Sequence, residues 1–253
     1  MKDSELYALG GMTNSSNAMF ERRRRILREA RRIIAGEGLD ALNIRDLCRR
    51  ADVATRTIYN AFGSKENVVA LAIRDYFDSF QNRLVFETDP ASFEGAYEHL
   101  ITTTLRNLEI PNFLRAVAAL YFSPTIHANI RGVLVEIAGR SVRPWIAAMK
   151  AQRQLERGID VERLIVDLSH AQYAIVHEWG LGALSDSEFV RRAVGVVLLH
   201  LAGALRVPAR AQARAAYEDL QENGARSRRL LALARRRIGA ARLSREKTLR
   251  AAV

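Results

Sequence analysis

Four polar side chains of different chemistry occur within six residues of the chain, at Thr55, Arg56, Tyr59 and Asn60. A hydroxyl, a guanidinium, a phenol and an amide are groups through which proteins hydrogen-bond base edges and phosphate oxygens of DNA. If the segment is helical, residues three and four apart share one face, so these side chains would project together. The pattern therefore predicts a short helix that reads a major groove.

The neighbouring residues predict the elements that would hold this helix. Ile44, Leu47, Cys48 and Ala51 follow one another at i, i+3, i+4 and i+7, which places them on one face of a helix. A turn at 52–54 leads into a helix of about two turns over 55–62, a length that is not stable alone in water. We therefore expect helix, turn and helix to pack together, with another helix beginning at Ser64.

Residues 22–70 resemble the tetracycline-repressor (TetR) family of bacterial transcription regulators. The positions that fit the family pattern are Ala30, Ile33, Ile34, Gly36, Gly38, Arg45, Ala51, Val53, Thr57, Tyr59, Phe62, Ser64, Lys65 and Glu66. The resemblance implies an all-α fold, in which an N-terminal three-helix helix-turn-helix DNA-binding domain precedes a helical ligand-binding and dimerisation domain. It also implies that the protein is a homodimer that binds double-stranded DNA at a palindromic operator.

The resemblance assigns the DNA contacts to named positions. We expect phosphate contacts from Tyr59 and Lys65, and side chains near bases from Arg45, Thr55, Arg56 and Asn60. The full predicted set of DNA-binding residues is Asn43, Arg45, Thr55, Arg56, Thr57, Tyr59, Asn60 and Lys65.

Three positions depart from the family pattern, and each leads to an expectation. Asn43 stands where the family usually has Thr and should still cap a helix. Asp52 replaces a turn glycine and tolerates a left-handed backbone better than most residues. Ala54 replaces a capping Ser, so we expect Thr55 to become the cap and shift the start of the helix by one residue.

Charge is distributed unevenly along the chain, whose net charge is +11. Residues 19–65 carry 12 basic and 6 acidic residues, residues 66–223 carry 16 and 19, and residues 224–253 carry 10 and 1. Four arginines, Arg22 to Arg25, begin the first helix, where they oppose the helix dipole and call for an anionic partner such as a phosphate backbone. Two basic ends around a mildly acidic middle favour a nucleic-acid reader joined to a sensing body.

The chain divides by pattern into four segments. We expect a disordered extension over 1–18, the helix-turn-helix domain over 19–65, a helical effector-binding and dimerisation domain over 66–207, and a basic helical extension over 208–253. Within the body, the helix that begins at Ser64 should reach about Glu87. Asp89-Pro90 should start the next helix, while Asp160 and the Ser185-Glu188 capping box should start two more.

Several function classes find no support in the sequence. A single cysteine, no secretory signal and no apolar run of about 20 residues indicate a cytoplasmic protein without a membrane anchor. The five histidines show no metal-ligand spacing, and no phosphate loop, nucleophile elbow or dinucleotide fingerprint occurs. We therefore predict no catalytic residues, no metal and no cofactor.

The middle of the chain holds a candidate site for a small-molecule effector. Aromatic and polar-tipped residues concentrate there, as in many ligand pockets, although each taken alone is more often a core residue than a ligand contact. The candidate residues are Tyr97, Phe113, Tyr121, Trp145, Met149, Tyr173 and His177.

Two apolar helices over 161–205 are the candidate dimer interface. One carries a stripe of Ala193, Val197, Leu201 and Ala204, and Gly195 and Gly203 would let another helix approach closely. The other carries Leu164, Leu168, Ala171, Ile175 and Trp179. The alternative is that these stripes belong to the core of one subunit.

The function that these features favour is a transcriptional repressor released from its operator by a small apolar or aromatic ligand. The alternative is a constitutive or architectural DNA-binding protein without an effector, whose basic tail bridges or wraps DNA. Three interpretations of residues 226–250 remain open: a solvated and partly disordered tail, an auxiliary DNA arm, and a surface for an anionic membrane or acidic partner. We favour the DNA arm over the membrane because the chain already carries a DNA reader.

Overall fold

The computed structural model describes residues 17–38, 41–81, 84, 86 and 88–250. These residues form helices and no strand, which confirms the all-α prediction; Leu155 and Leu205 make one isolated antiparallel bridge. In chain order the helices are α1 (Asn17–Glu37), α2 (Ile44–Ala51), α3 (Thr55–Phe62), α4 (Lys65–Gln81), α5 (Phe93–Asn107), α6 (Pro111–Tyr121), α7 (Ala128–Gly139), α8 (Arg143–Ala151), α9 (Val161–Gly180), α10 (Asp186–Ala204), α11 (Ala209–Gln221) and α12 (Ala225–Arg250).

The helices belong to two compact units. The first unit contains the described residues up to Phe80 together with Ala119–Leu134, and the second contains those from Gln81 to Ala118 and from Val135 onward. The core of the first unit includes Ile26, Ile33, Leu47, Ile58 and Val68, all fully buried. Helices α1 to α4 thus share one apolar core, which holds the two short helices in place as their length requires.

The predicted helix boundaries are confirmed at four positions, three helix starts and one helix end. Asn43 accepts a hydrogen bond from the amide of Asp46 at 2.8 Å, and Asp52 ends α2 with φ 49° and ψ 61°, in the left-handed region. Asp160 caps α9, and the capping box of Ser185 and Glu188 starts α10.

Other boundaries differ from the predictions. Helix α3 begins at Thr55 with Ala54 as its cap residue, so Thr55 does not take over the cap. Helix α5 begins at Phe93 because the hydroxyl of Ser92 accepts from the amide of Gly95 at 3.0 Å, whereas Asp89 and Pro90 form the preceding turn. Helix α4 ends at Gln81, not near residue 87. Residues 1–18 were predicted to be disordered. Of these, residues 1–16 lie outside the described residues, and residues 17 and 18 form the start of α1.

The apolar stripe of α10 lies in the core of the second unit. Ala193, Val197, Leu201 and Ala204 are all at most 4% exposed within the single chain, so they are not the free surface that a dimer interface needs. A Cβ built on Gly195 would lie 3.1 Å from the side-chain nitrogen of Gln221, at the end of α11. The close approach predicted from this glycine is therefore made by a helix of the same chain.

The basic C-terminal segment is an integrated part of the second unit. Helix α12 packs on α5, with Ser227, Leu230 and Ala234 buried at that contact. For residues 226–242, whose side chains the structure describes, this arrangement contradicts the interpretation as a solvated and partly disordered tail, because Ser227, Leu230 and Ala234 are buried.

Candidate nucleic-acid interface

The outward face of α3 carries the polar residues that the sequence singled out. Thr55, Arg56, Tyr59 and Asn60 are exposed, and the phenol-bearing side chain of Tyr59 is 48% accessible. Ile58 and Phe62 lie on the opposite face and are buried. A helix with two apolar anchors and four exposed hydrogen-bonding side chains presents its polar face to whatever lies outside the unit.

Two arginines of α1 hold the helix-turn-helix from inside. Arg23 is 7% exposed; its guanidinium donates to the carbonyl of Ala61 at 2.5 Å and lies 5.2 Å from the centre of the Phe62 ring. Arg25 donates to the carbonyls of Ala51, at 2.7 Å, and Asp52, at 3.2 Å. Both guanidiniums thus bind backbone carbonyls at the C-terminal ends of α3 and α2, where the helix dipole is negative.

This use of Arg23 and Arg25 corrects the expectation that the whole run Arg22 to Arg25 faces phosphate. Arg24 pairs with Glu21 at 3.3 Å on the surface, and Arg22 is exposed. The sequence could not show this division because all four residues have the same type, and only the packing of α1 decides which of them turn inward.

The remaining predicted DNA-binding residues lie at the start of α2, within α3 and at the start of α4. Asn43 and Arg45 are exposed at the start of α2, and Thr57 is half-buried within α3. Lys65 is half-buried at the first position of α4, where the hydroxyl of Ser64 accepts from the amide of Asn67 at 3.1 Å. Of the eight predicted DNA-binding residues, all are at least partly accessible, and all belong to the first unit.

The cations of this surface differ in their partners. Arg49 and Arg50 both hydrogen-bond Asp46, and the bond from Arg49 is the main reason why the pKa of that carboxyl lies below its usual range. Arg50 also pairs with Glu37 at 2.7 Å. Among the residues that the structure describes, no carboxylate pairs with Arg45, Arg56 or Lys65. These three cations are therefore available to an external anion.

The candidate effector residues are mostly packed side chains. Tyr97, Phe113, Tyr121, Trp145, Met149 and Tyr173 are all at most 8% exposed. Tyr97 stacks on Phe93 with ring centres 5.8 Å apart, and Trp145 meets the same ring edge-on at 5.0 Å. Tyr121 belongs to the first unit and contacts Phe122 edge-on. His177 differs from these six residues, since its side chain is exposed on α9.

Two residues that sequence spacing did not indicate, Arg226 and Ser227, complete the cluster around Tyr97. Its hydroxyl hydrogen-bonds the buried hydroxyl of Ser227 at 2.9 Å, and the guanidinium of Arg226 lies 5.0 Å from the Phe93 ring centre and 5.3 Å from that of Tyr97. Burial raises the pKa of Tyr97 and keeps its phenol protonated. Arg226 and Ser227 were assigned to the basic tail, 130 residues from Tyr97, so spacing gave no sign of this contact.

Carboxylates of α5 bind the inward arginines of α12. Arg226 pairs with Glu94, and Arg237 pairs with Glu98, which is 5% exposed and also accepts from the hydroxyl of Thr88. Both acids lie on the face of α5 towards α12, four residues apart. Within the described residues, no three His, Cys, Asp or Glu side chains gather in a metal-like group, and no helix combines the length and apolarity of a membrane span.

Comparison with known proteins identifies the helix-turn-helix region. Residues 26–72 match the family described as bacterial regulatory proteins, tetR family. The chain is 37% identical over 75 residues to the HTH-type transcriptional repressor KstR of Rhodococcus jostii, and 36% identical over 80 residues to KstR of Mycolicibacterium smegmatis. These stretches cover 30% and 32% of this chain and 35% and 37% of the relatives. The match thus spans only about a third of the length of either repressor.

The fold as a whole is similar to that of a solved repressor. The crystal structure of Thermus thermophilus FadR, a TetR-family transcriptional repressor in complex with lauroyl-CoA, aligns with a TM-score of 0.51 and 16% identity. The alignment covers 72% of this chain and 95% of FadR. At this identity the likeness shows the fold alone.

Proposed function

We propose that this member of the tetR family of bacterial regulatory proteins is a cytoplasmic transcriptional repressor that binds duplex DNA sequence-specifically. A small apolar or aromatic ligand would release it from its operator. The observation that carries the proposal is the outward face of α3, where Arg56 and Asn60 can hydrogen-bond base edges and Tyr59 can reach a phosphate. Lys65, at the start of α4, would add a second phosphate contact. The two matched repressors support the assignment to transcriptional repression.

The proposal includes a homodimer, because two reading helices on successive major grooves fit a palindromic operator. The exposed face of α10 is the better candidate for its interface, since the predicted stripe is core. Leu199 is 48% exposed on this face, and nothing lies within 4 Å of a Cβ built on Gly203 one turn later. His170 and Ala174 are exposed on α9.

Oligomeric state tests this interface. Leu199→Glu should give monomers in sedimentation and weaker operator binding, because a carboxylate would enter an apolar contact without a partner. Val207→Glu, at another exposed apolar position, is the control and should remain dimeric. A dimer that survives Leu199→Glu would refute this interface. Val197→Glu is unsuitable, because Val197 is fully buried and its loss would disrupt the fold itself.

Release by a ligand follows from linkage. A ligand that binds better to the form with mis-spaced reading helices must weaken DNA binding by the same coupling free energy. The complex of FadR with lauroyl-CoA supports the idea that this fold accommodates ligands that carry an apolar chain. The candidate effector residues in the second unit are the aromatic cluster of Tyr97 and Trp145, together with Phe113, Met149 and Tyr173.

A constitutive or architectural DNA-binding protein is the second candidate. The observation that favours it is the burial of Tyr97 and Trp145, each 1% exposed, since a ligand that contacts them would have to displace packed side chains. Operator affinity that no apolar or aromatic compound changes would favour this candidate over a releasable repressor.

Sequence-specific binding is tested on an operator selected from random duplexes. Arg56→Ala should cost about 1–3 kcal/mol of binding free energy at the selected site and much less on random DNA. Lys65→Ala should weaken binding to both alike and lower the salt slope by about 0.9. Arg49→Ala, which removes an exposed cation paired with Asp46, is the matched control and should change little. Equal losses on both DNAs for Arg56→Ala would refute its role in base reading.

A further inference from the structure

The second unit contains an open groove of about 840 Å³ that none of the predicted site residues lines. Its walls come from the end of α5, the first turns of α10, the end of α11 and one face of α12. On α12 the contributing residues are Arg228, Leu231 and Arg235, which follow one another at i, i+3 and i+7. One face of this helix therefore offers the groove two guanidiniums with an apolar side chain between them.

The charges of the groove are unequally satisfied. Its carboxylates already have neutral donors: Asp186 accepts from the indole of Trp179 at 2.9 Å, and Glu188 accepts from the amide and hydroxyl of Ser185. Among the described residues, no carboxylate lies within ion-pair distance of Arg191 or Arg235, although Arg191 interacts electrostatically with Glu188, and Arg228 donates to the carbonyl of Asn223. A guanidinium has five N–H donors, so each cation keeps capacity for an external acceptor.

The groove also offers an apolar surface. Leu105, Val190 and Leu220 line it, each at most 8% exposed, together with the half-buried Leu231. An inorganic anion or a nucleic-acid backbone would make no apolar contact with this surface. A neutral hydrocarbon would place no negative charge against the guanidiniums.

We propose that this groove binds a small amphipathic organic anion. The arginines would bind its carboxylate, and its hydrocarbon body would lie against the apolar surface of Leu105, Val190, Leu220 and Leu231. The charge balance favours one negative charge, since the three arginines face two acids. The site is separate from the aromatic cluster around Tyr97, and its occupancy can be measured without DNA, independently of the proposed repressor function.

The test uses octanoate as the anion, with octanamide as the neutral isostere, titrated calorimetrically into the full-length protein. Octanoate should bind and octanamide should bind at least about tenfold more weakly, because charge-assisted hydrogen bonds to guanidinium are lost. Arg228→Gln/Arg235→Gln should weaken octanoate binding by a similar factor. Leu231→Asn should weaken the binding of octanoate more than the binding of acetate, since only octanoate has a hydrocarbon chain that can contact the apolar surface of the groove.

The helix supplies a matched control one residue further along. Arg229 and Arg236 are exposed like Arg228 and Arg235 but do not line the groove, so Arg229→Gln/Arg236→Gln removes the same charge outside it. This control should bind octanoate within about twofold of the natural protein, which is less than a single hydrogen bond contributes. Thermal melting of both double variants should lie close to that of the natural protein, because all four arginines are exposed and the only contact given up is the exposed hydrogen bond from Arg228 to the carbonyl of Asn223.

Four outcomes would overturn the proposal. The first is no octanoate binding, and the second is equal binding of octanoate and octanamide. The third is an equal loss in the two double variants, which would indicate a general effect of net charge. The fourth is inorganic phosphate binding as tightly as octanoate and with the same dependence on Arg228 and Arg235, which would indicate a plain anion site.

Discussion

The arginine run of α1 and the arginine run of α12 look alike in the sequence, but their inward members bind different partners. In α1, Arg23 and Arg25 donate to backbone carbonyls at the ends of α3 and α2. In α12, Arg226 and Arg237 bind carboxylates of α5. Each run is therefore split between cations that hold the fold and cations that face outward. A count of basic residues overstates how many can meet a phosphate backbone.

The largest predicted effect concerns the buried ion pair of Arg237 and Glu98 in the second unit. Arg237→Ala should lower the free energy of unfolding by about 3–5 kcal/mol, because it leaves the carboxylate of Glu98 buried without its counter-ion. Arg236→Ala, at the exposed position before it, should change the free energy by no more than about 0.5 kcal/mol. Both tryptophans of the chain, Trp145 and Trp179, lie in the second unit, so their fluorescence in urea follows this transition.

If Arg236→Ala proved as harmful as Arg237→Ala, the split of α12 into inward and outward cations would be wrong. Replacing both members of the pair, as Arg237→Met/Glu98→Met, should recover much of the loss, since no uncompensated charge remains.

A smaller effect is expected in the first unit. Arg23→Met should lower its stability by about 1.5–3 kcal/mol, the range for a hydrogen bond from a charged donor. Arg22→Met, at the exposed neighbour, should leave stability unchanged; if its side chain meets a phosphate, the variant should weaken DNA binding and lower its salt slope together. Amide hydrogen exchange in α3 measures the difference. Faster exchange in both variants would mean that the run of α1 is not divided.

The fold and much of the candidate interface could be predicted because local chemistry determines them. The cap at Asn43, the left-handed Asp52 and the capping box at Ser185 depend on residues within three positions of one another, and all three are confirmed. The outward position of Arg56 and Asn60 follows from the burial of Ile58 and Phe62 on the same helix.

The remaining features depend on contacts between distant residues. The stripe of α10 was compatible with an interface or a core, and only the packing of α11 against Gly195 shows that a helix of the same chain approaches there. The bond between Tyr97 and Ser227 joins α5 to a segment that composition alone assigned to a tail. Charge runs indicate where cations occur, but not which of them are already used.

The smallest predicted effect concerns the outward cations of α12 and a DNA arm. Deletion of residues 224–253 is a poor test, because it would also remove Ser227, Leu230 and Ala234 from their contact with α5. Arg229→Gln/Arg236→Gln keeps that packing, and if both side chains meet phosphates it should lower the salt slope of duplex binding by about 1.8, at about 0.9 for each. The selected operator sequence should stay the same, since phosphate contacts carry no base information. Arg229→Lys/Arg236→Lys retains the charge and should retain the slope. A slope that the glutamine variant leaves unchanged would place the outward face of α12 in solvent, and the phosphate contacts would then be left to Tyr59, Lys65 and the outward arginines of α1.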